Sequence, residues 1–308
     1  MLNKEDKNIP DPFAYIRTMA AIAIFCTHAN IFSGIHGFQI IEKNWFMKTP
    51  VHGAVWVFIF ISGYFNIRGF LGEAPKYELK LKGIGRFYFN RFMKILLPVW
   101  CFYLIALTIS EPTFLILHPE VIIRLATFTY TGNPGCTSIA ATWYASTLAW
   151  LYLATPLIAV LCRRLEKVGG YLYIILAMFA VAAIGLAERL LLLKLGIDWT
   201  QGVFVPFWCN FDIYICGAFA YMTGSRITLG LTDRIKYIAS LVIFTLLFVI
   251  HCRILYLGDI NAIFETIHRY IMPTVYIIVM SAVCILIQNT DYSYLPVSTG
   301  AVIRNPFR

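Results

Sequence analysis

The sequence predicts an all-α, polytopic transmembrane helical bundle of about eight spans, and three observations predict it. Hydrophobic residues make up 59% of the 308 and charged residues only 13%, against roughly 25% charged in a soluble domain. Mean hydropathy is +0.72. The apolar residues are also gathered into runs of about 20, the length a helix needs to cross the hydrocarbon core.

Reading these runs between charged residues, prolines and glycines gives spans at 14–34, 51–70, 94–110, 141–162, 171–193, 203–222, 236–257 and 269–288. The first follows a polar segment, Met1–Pro12, and is long and holds Arg17, which speaks against a cleaved signal peptide. A basic loop precedes the third. Between the third and fourth, Glu111–Ala140 contains Pro112, Pro119, Arg124 and Thr131-Gly132-Asn133-Pro134-Gly135, and reads as a loop with one short helix at the interface. Arg163, Arg164, Lys167 and Gly169-Gly170 separate the fourth and fifth. No internal repeat, low-complexity tract or soluble linker divides the chain, so residues 1–308 are expected to form one membrane-embedded domain.

The formal net charge of +9 does not point to nucleic acid, because the Lys and Arg residues lie between apolar runs, where they act as topology signals. If the spans alternate from a cytoplasmic N-terminus, eighteen of the 25 Lys and Arg residues fall inside and seven outside, a clear positive-inside bias. The eight cysteines are scattered with no C-x-x-C and mostly sit in apolar runs, which supports neither a disulfide framework nor a metal site.

Ionisable side chains inside a span cost several kcal/mol unless they face protein or water, so each is a functional candidate. Arg17 and His28 lie eleven residues apart in the first span. At about 100° and 1.5 Å per residue they share one helix face, stacked about 16 Å apart. Two readings stand: a polar channel lined by both, or an arginine that snorkels to the headgroups and a histidine bonded to a neighbouring helix. A second concentration is Arg68, Lys76, Lys80, Lys82, Arg86, Arg91 and Lys94. Arg91 and Lys94, spaced i, i+3 at a helix mouth before Pro98, form a pair able to grip a phosphate, while the other cations fit headgroup attraction and topology. Asp212 and Glu188-Arg189 read as interhelical glue or a near-neighbour ion pair. His52, before Gly53 at the mouth of the second span, is a candidate substrate contact, and His36, His118, His251 and His268 show no partner spacing that suggests metal. Most of the aromatic surplus fits interfacial belts and helix packing.

Four segments carry a resemblance. Arg17 through His28 resembles the Arg-x10-His signature of the acyltransferase-3 family of bacterial integral-membrane acyltransferases, many of which O-acetylate glycans. Ala54-Val55-Trp56-Val57-Phe58-Ile59-Phe60-Ile61-Ser62-Gly63-Tyr64-Phe65 is similar to that family's Gly-Val-x-x-Phe-Phe-x-x-Ser-Gly-Phe stretch. Phe89-Asn90-Arg91-Phe92-Met93-Lys94 before Pro98 is similar to its Arg-x-x-Arg motif. Trp143-Tyr144-Ala145-Ser146 through Tyr152-Leu153-Ala154-Thr155-Pro156 is similar to its Trp-Phe-Leu-Ser through Tyr-Leu-x-x-Pro span. No one motif is specific, but four in the family's order are, and they cover residues 13 to about 160. Lys94 replaces the second arginine, keeping the charge and losing the planar fork. Leu148 and Ala149 stand where many members are acidic, and the chain ends soon after Asp291–Tyr294, where members, usually of about ten spans, begin a last one; a shortened C-terminus is the expectation.

The resemblance implies an O-acyltransferase of the bacterial cytoplasmic membrane, transferring a group other than aminoacyl, with acetyl-CoA or another acyl-CoA as co-substrate, no permanently bound cofactor, and a cell-surface or exported glycan as acceptor. It implies His28 as base or transient acyl carrier with Arg17 beneath it, Arg91, Lys94 and Arg86 on the donor phosphates, and His52, Ser62, Trp143 and Tyr144 lining the substrate path. A sugar hydroxyl is a weak nucleophile at neutral pH, and imidazole is the natural base to activate it. Loops Phe32–Pro50 and Glu111–Ala140 are expected to face the acceptor. A transporter or flippase of a lipid-linked glycan intermediate is the alternative, since intramembrane polar residues also mark transport paths, although no inverted repeat with paired broken helices is visible. A receptor or structural protein without chemistry is a third reading.

Overall fold

The computed structural model of the chain describes residues 12–35, 51–110, 112–129 and 143–291. Among these residues every regular element is helical, so the all-α expectation holds. Residues 36–50, 111 and 130–140 of the two expected acceptor-facing loops, and the tail from Val297, lie outside the described residues. The helices are α1 Pro12–Ile35, α2 Val51–Leu71, α3 Leu81–Arg91, α4 Leu97–Ser110, α5 Pro112–Leu117, α6 Glu120–Ala126, α7 Trp143–Lys194, α8 Phe211–Gly224, α9 Asp233–Gly258, α10 Ala262–Thr266 and α11 Met272–Gln288.

Among the described residues, five helical stretches are long and apolar enough to cross a membrane: Val51–Leu71, Leu81–Ile109, Trp143–Lys194, Asp233–Gly258 and Ala262–Gln288. The third spans 52 residues and is broken at Gly169 and Gly170, where φ of +63° at Gly170 demands glycine. It therefore contains both spans expected at 141–162 and 171–193. The span expected at 203–222 is instead assembled from a π-turn, Thr200–Phe204, a 3-10 turn, Trp208–Asn210, and the 14-residue α8. The loop expected after α4 carries two short helices rather than one. Of these, α6 packs Val121 and Leu125 against Tyr103 and Leu107 of α4, and Trp100 Nε1 donates to the Leu125 carbonyl at 2.9 Å.

The chain divides into two compact units. The first, Met1–Phe60 with Ala220–Arg308, is organised by an antiparallel hairpin of α9 and α11. Its pairing is read from Asp233 with Asp291, Lys236 with Asn289 and His251 with Tyr276. Thr232 caps α9 by accepting from the Ile235 amide, and Asn261 caps α10 from Ile263. In the same unit α1 lays Phe13, Ile16, Ala20 and Ala23 inward, and Tyr15 bonds Thr245 of α9 at 2.9 Å.

The second unit is Ile61–Phe219. At Gly63 an added Cβ would sit 2.0 Å from the Tyr214 carbonyl oxygen, so only glycine lets α2 and α8 meet there. At Gly185 a Cβ would lie 2.0 Å from Asp212 Oδ2, and the space saved admits a buried ion pair, Arg189 to Asp212 at 2.8 Å. The two polar groups that the sequence presented as separate puzzles are therefore partners, and Glu188 instead faces the Cys209 thiol.

Candidate functional site

In the second unit, three of the four motif segments meet around Arg91, the last residue of α3. Its guanidinium lies 5.4 Å from the ring centres of both Phe87 and Tyr152, and it donates to Asn66 Oδ1. The donors and acceptors beyond it resolve into one directed chain. Asn66 Nδ2 donates to the Tyr214 hydroxyl at 2.7 Å. Thr155 spends its proton on the Leu151 carbonyl at 3.1 Å, so the 2.6 Å contact between Tyr214 and Thr155 is donated by Tyr214. Ser62 shares a hydrogen bond with Tyr152. Asn66, Tyr214 and Thr155 are at most 1% exposed, which makes this a rigid polar seam in an otherwise apolar core.

The seam uses one of the five N–H groups of Arg91, and among the described residues its Nε–H meets no acceptor. A half-buried planar fork with donors to spare, flanked by two aromatic faces, is suited to a phosphate or carboxylate. Arg86 and Lys94 are exposed side chains. The expected i, i+3 pairing of Arg91 with Lys94 does not form as an α-helical pair, because Phe92–Leu96 is a π-turn in which the Leu97 amide bonds the Phe92 carbonyl. The wider turn changes the angular register that the α-helical spacing assumed. Of the remaining candidates in this unit, Trp143 packs its ring 4.7 Å from Phe204, with Tyr144 beside it at the start of α7.

Arg17, His28 and His52 belong to the first unit. Arg17 and His28 are both half-buried on α1, and at about 100° per residue they fall on the flank between the inward stripe of Ile16, Ala20 and Ala23 and the exposed Ile22 and Phe25. Arg17 Nε donates back to the Phe13 carbonyl at 3.1 Å, turning the guanidinium toward the start of the helix.

The same unit holds a cluster that spacing in the sequence did not reveal. His251 of α9 sits between two partners, with Nδ1 at 2.9 Å from the Tyr276 hydroxyl and Nε2 at 2.8 Å from His268 Nδ1. Trp56 of α2 stacks on His251 with an interplanar angle of 9°, and His52 lies 5.1 Å from His268 between ring centres. The members are 17 to 25 residues apart in sequence or more, so no local period exposes them. The visible hints were a histidine inside an apolar run and another just before one. Among the described residues no group of three or more His, Cys, Asp or Glu side chains is arranged to hold a metal ion.

A family model described as an acyltransferase domain matches residues 13–299. No curated protein and no solved structure matches the chain.

Proposed function

Because the chain belongs to the acyltransferase-3 family and is a membrane acyltransferase, we propose that it moves an acyl group, acetyl in the first instance, from a cytoplasmic acyl-CoA to a hydroxyl of a cell-surface or exported glycan. The proposed setting is the bacterial inner membrane with the N-terminus in the cytoplasm. The observation that carries this reading is the convergence of three motif segments on Arg91, a half-buried guanidinium with unused donors. Acyl-CoA is an anion with several phosphates, and a pre-oriented arginine fork binds such groups by charge-assisted, bidentate hydrogen bonds.

His28 is the proposed base, or the transient carrier of the acyl group. As base it takes the proton of the acceptor hydroxyl while the oxygen attacks the thioester carbonyl carbon. The C–O bond forms, the C–S bond breaks, and the sulfur leaves as thiolate. Arg17, about three helical turns below on the same flank, is the proposed cation of the donor side of that path. Lys94 and Arg86 add long-range attraction for the donor.

The test is transfer of labelled acetyl from acetyl-CoA to glycan by purified protein in lipid nanodiscs. His28→Ala is expected to lose transfer by about 100-fold or more, the usual weight of a positioned base, while still binding acetyl-CoA. Arg91→Ala is expected to raise the KM for the donor, and Arg91→Lys to restore only part of it. Wild-type transfer by His28→Ala would refute the assignment. Movement of a glycan substrate without any acyl-CoA would instead favour a flippase.

A further inference from the structure

Two arginines are drawn away from water within the second unit, and they are anchored in opposite ways. Arg189 faces a carboxylate, Asp212, at 2.8 Å, so that pair is electrically neutral. Arg91 faces the side-chain amide of Asn66. Among the described residues no carboxylate forms an ion pair with Arg91, and the rings of Phe87 and Tyr152 flank it instead. Aromatic faces attract a cation without cancelling its charge. Arg91 therefore keeps a whole positive charge in a half-buried position, where an uncompensated ion costs free energy until an anion joins it.

The chemistry of the seam fixes which way round Asn66 sits. A guanidinium only donates, so the Asn66 atom that meets it is the oxygen. Turning the amide over would set donor against donor. The amide nitrogen is left to donate to the Tyr214 hydroxyl at 2.7 Å. Tyr214 gives its own proton to Thr155 at 2.6 Å, and Thr155 gives its proton to the Leu151 carbonyl. Asn66 is 1% exposed and Tyr214 and Thr155 are 0% exposed, so the seam is closed to bulk water.

The backbone holds this arrangement in place. Gly63 lies one turn before Asn66 on α2, and its missing side chain lets α2 approach the Tyr214 carbonyl. Tyr214 is thus met by Gly63 at its backbone and by Asn66 at its hydroxyl. Asparagine and aspartate have nearly the same shape, and a carboxylate would accept from Arg91 more strongly. It would also neutralise it. The amide gives a weaker grip and leaves the cation free to attract.

We propose that Asn66 is a positioning residue that holds the Arg91 fork without neutralising it, so that the seam from Arg91 to Thr155 selects a phosphorylated acyl thioester over an uncharged one. This rests on the reading of Arg91 as a donor-binding group. Phosphate supplies what the site lacks, an anion whose oxygens can take two parallel N–H bonds from one guanidinium. The thioester end of the donor carries no charge. The seam accordingly acts on affinity for the donor and not on the bond-making step.

The experiment uses the full chain in nanodiscs, with CoA as the binding probe. Acetyl-CoA and acetylpantetheine, which has the thioester but no phosphate, serve as alternative donors, and thermal unfolding checks the fold. Asn66→Asp keeps the volume and the acceptor but adds a carboxylate. Asn66→Ala keeps the charge on Arg91 but removes its anchor and leaves a hole. The expected result is a CoA dissociation constant raised about 10-fold or more by Asn66→Asp and less by Asn66→Ala, although Asn66→Ala unfolds at the lower temperature. The preference for acetyl-CoA over acetylpantetheine in kcat/KM should fall by a similar factor in Asn66→Asp. Tyr214→Phe, which keeps the ring and removes the acceptor that holds the amide, should weaken CoA binding by about 3- to 10-fold.

A purely structural role predicts the reverse order, with affinity following unfolding temperature and both donors losing equally. That outcome overturns the anchor while leaving the acyltransferase reading intact, and so does wild-type CoA affinity in folded Asn66→Asp or Tyr214→Phe. A wild-type protein that neither binds CoA nor transfers acetyl from it overturns both.

Discussion

Arg189 is 2% exposed and Asp212 7%, and their 2.8 Å bond is a charge pair held away from water inside the second unit. Such a pair contributes little net stability when intact, but breaking it strands a buried charge and costs about 3–5 kcal/mol. Arg189→Met is therefore expected to lower the unfolding temperature in detergent sharply. The double variant Arg189→Met/Asp212→Leu should be much less destabilised than the sum of its parts, as a double-mutant cycle would register. The sequence offered both residues as costly charges within spans and could not join them, since they stand 23 positions apart with a change of helix between. Arg91 was legible because it heads a motif before a proline, whereas Asn66, Tyr214 and Thr155 were not. Asn66 and Tyr214 are 148 positions apart, and no local pattern encodes so distant a hydrogen bond.

At the scale of elements, hydrophobic runs located the helices well and their interiors poorly. The α9 span, expected at 236–257, matches Asp233–Gly258 to within three residues. The span expected at 269–288 ends with the helix at Gln288, but the helical stretch begins earlier, at Ala262, because the apolar run read from the sequence starts at the charged Arg269. The span expected at 203–222 was misread as one helix, since composition does not distinguish continuous α-helix from π and 3-10 turns in series. The prolines carried that information. Pro98, Pro206 and Pro273 each follow the end of a π-turn by two residues, at Leu96, Phe204 and Ile271. Proline has no N–H and crowds the carbonyl four residues back, and the wider turn relieves that crowding. The Gly202 carbonyl, four residues before Pro206, receives the Cys209 thiol at 3.6 Å instead. Close approach is the other feature that composition hides. Gly63→Ala would press a methyl onto the Tyr214 carbonyl, and the expected loss is about 1–3 kcal/mol, read as a lower unfolding temperature with the donor KM following if the Asn66–Tyr214 bond is disturbed.

For the whole molecule, the all-α membrane class was evident from 59% hydrophobic and 13% charged residues alone. The family followed from motifs in the first half, and the match now extends over residues 13–299. The proposed orientation rests on the distribution of 25 Lys and Arg residues, and reporter fusions would test it: fusions within Gly72–Lys80 and at Leu229 should report cytoplasm, and fusions at Asp259 the opposite side. Reversed readings would move the donor site to the wrong compartment and remove the cytoplasmic acyl-CoA from the scheme. The three widened turns also have an evolutionary corollary. A π-turn is what an α-helix becomes when it absorbs a single inserted residue without breaking. Related chains that lack the insertion should align across a one-residue gap just ahead of each proline, and deleting Met93 should turn Phe92–Leu96 into an ordinary α-helical turn while the faces of α4 after it keep their places.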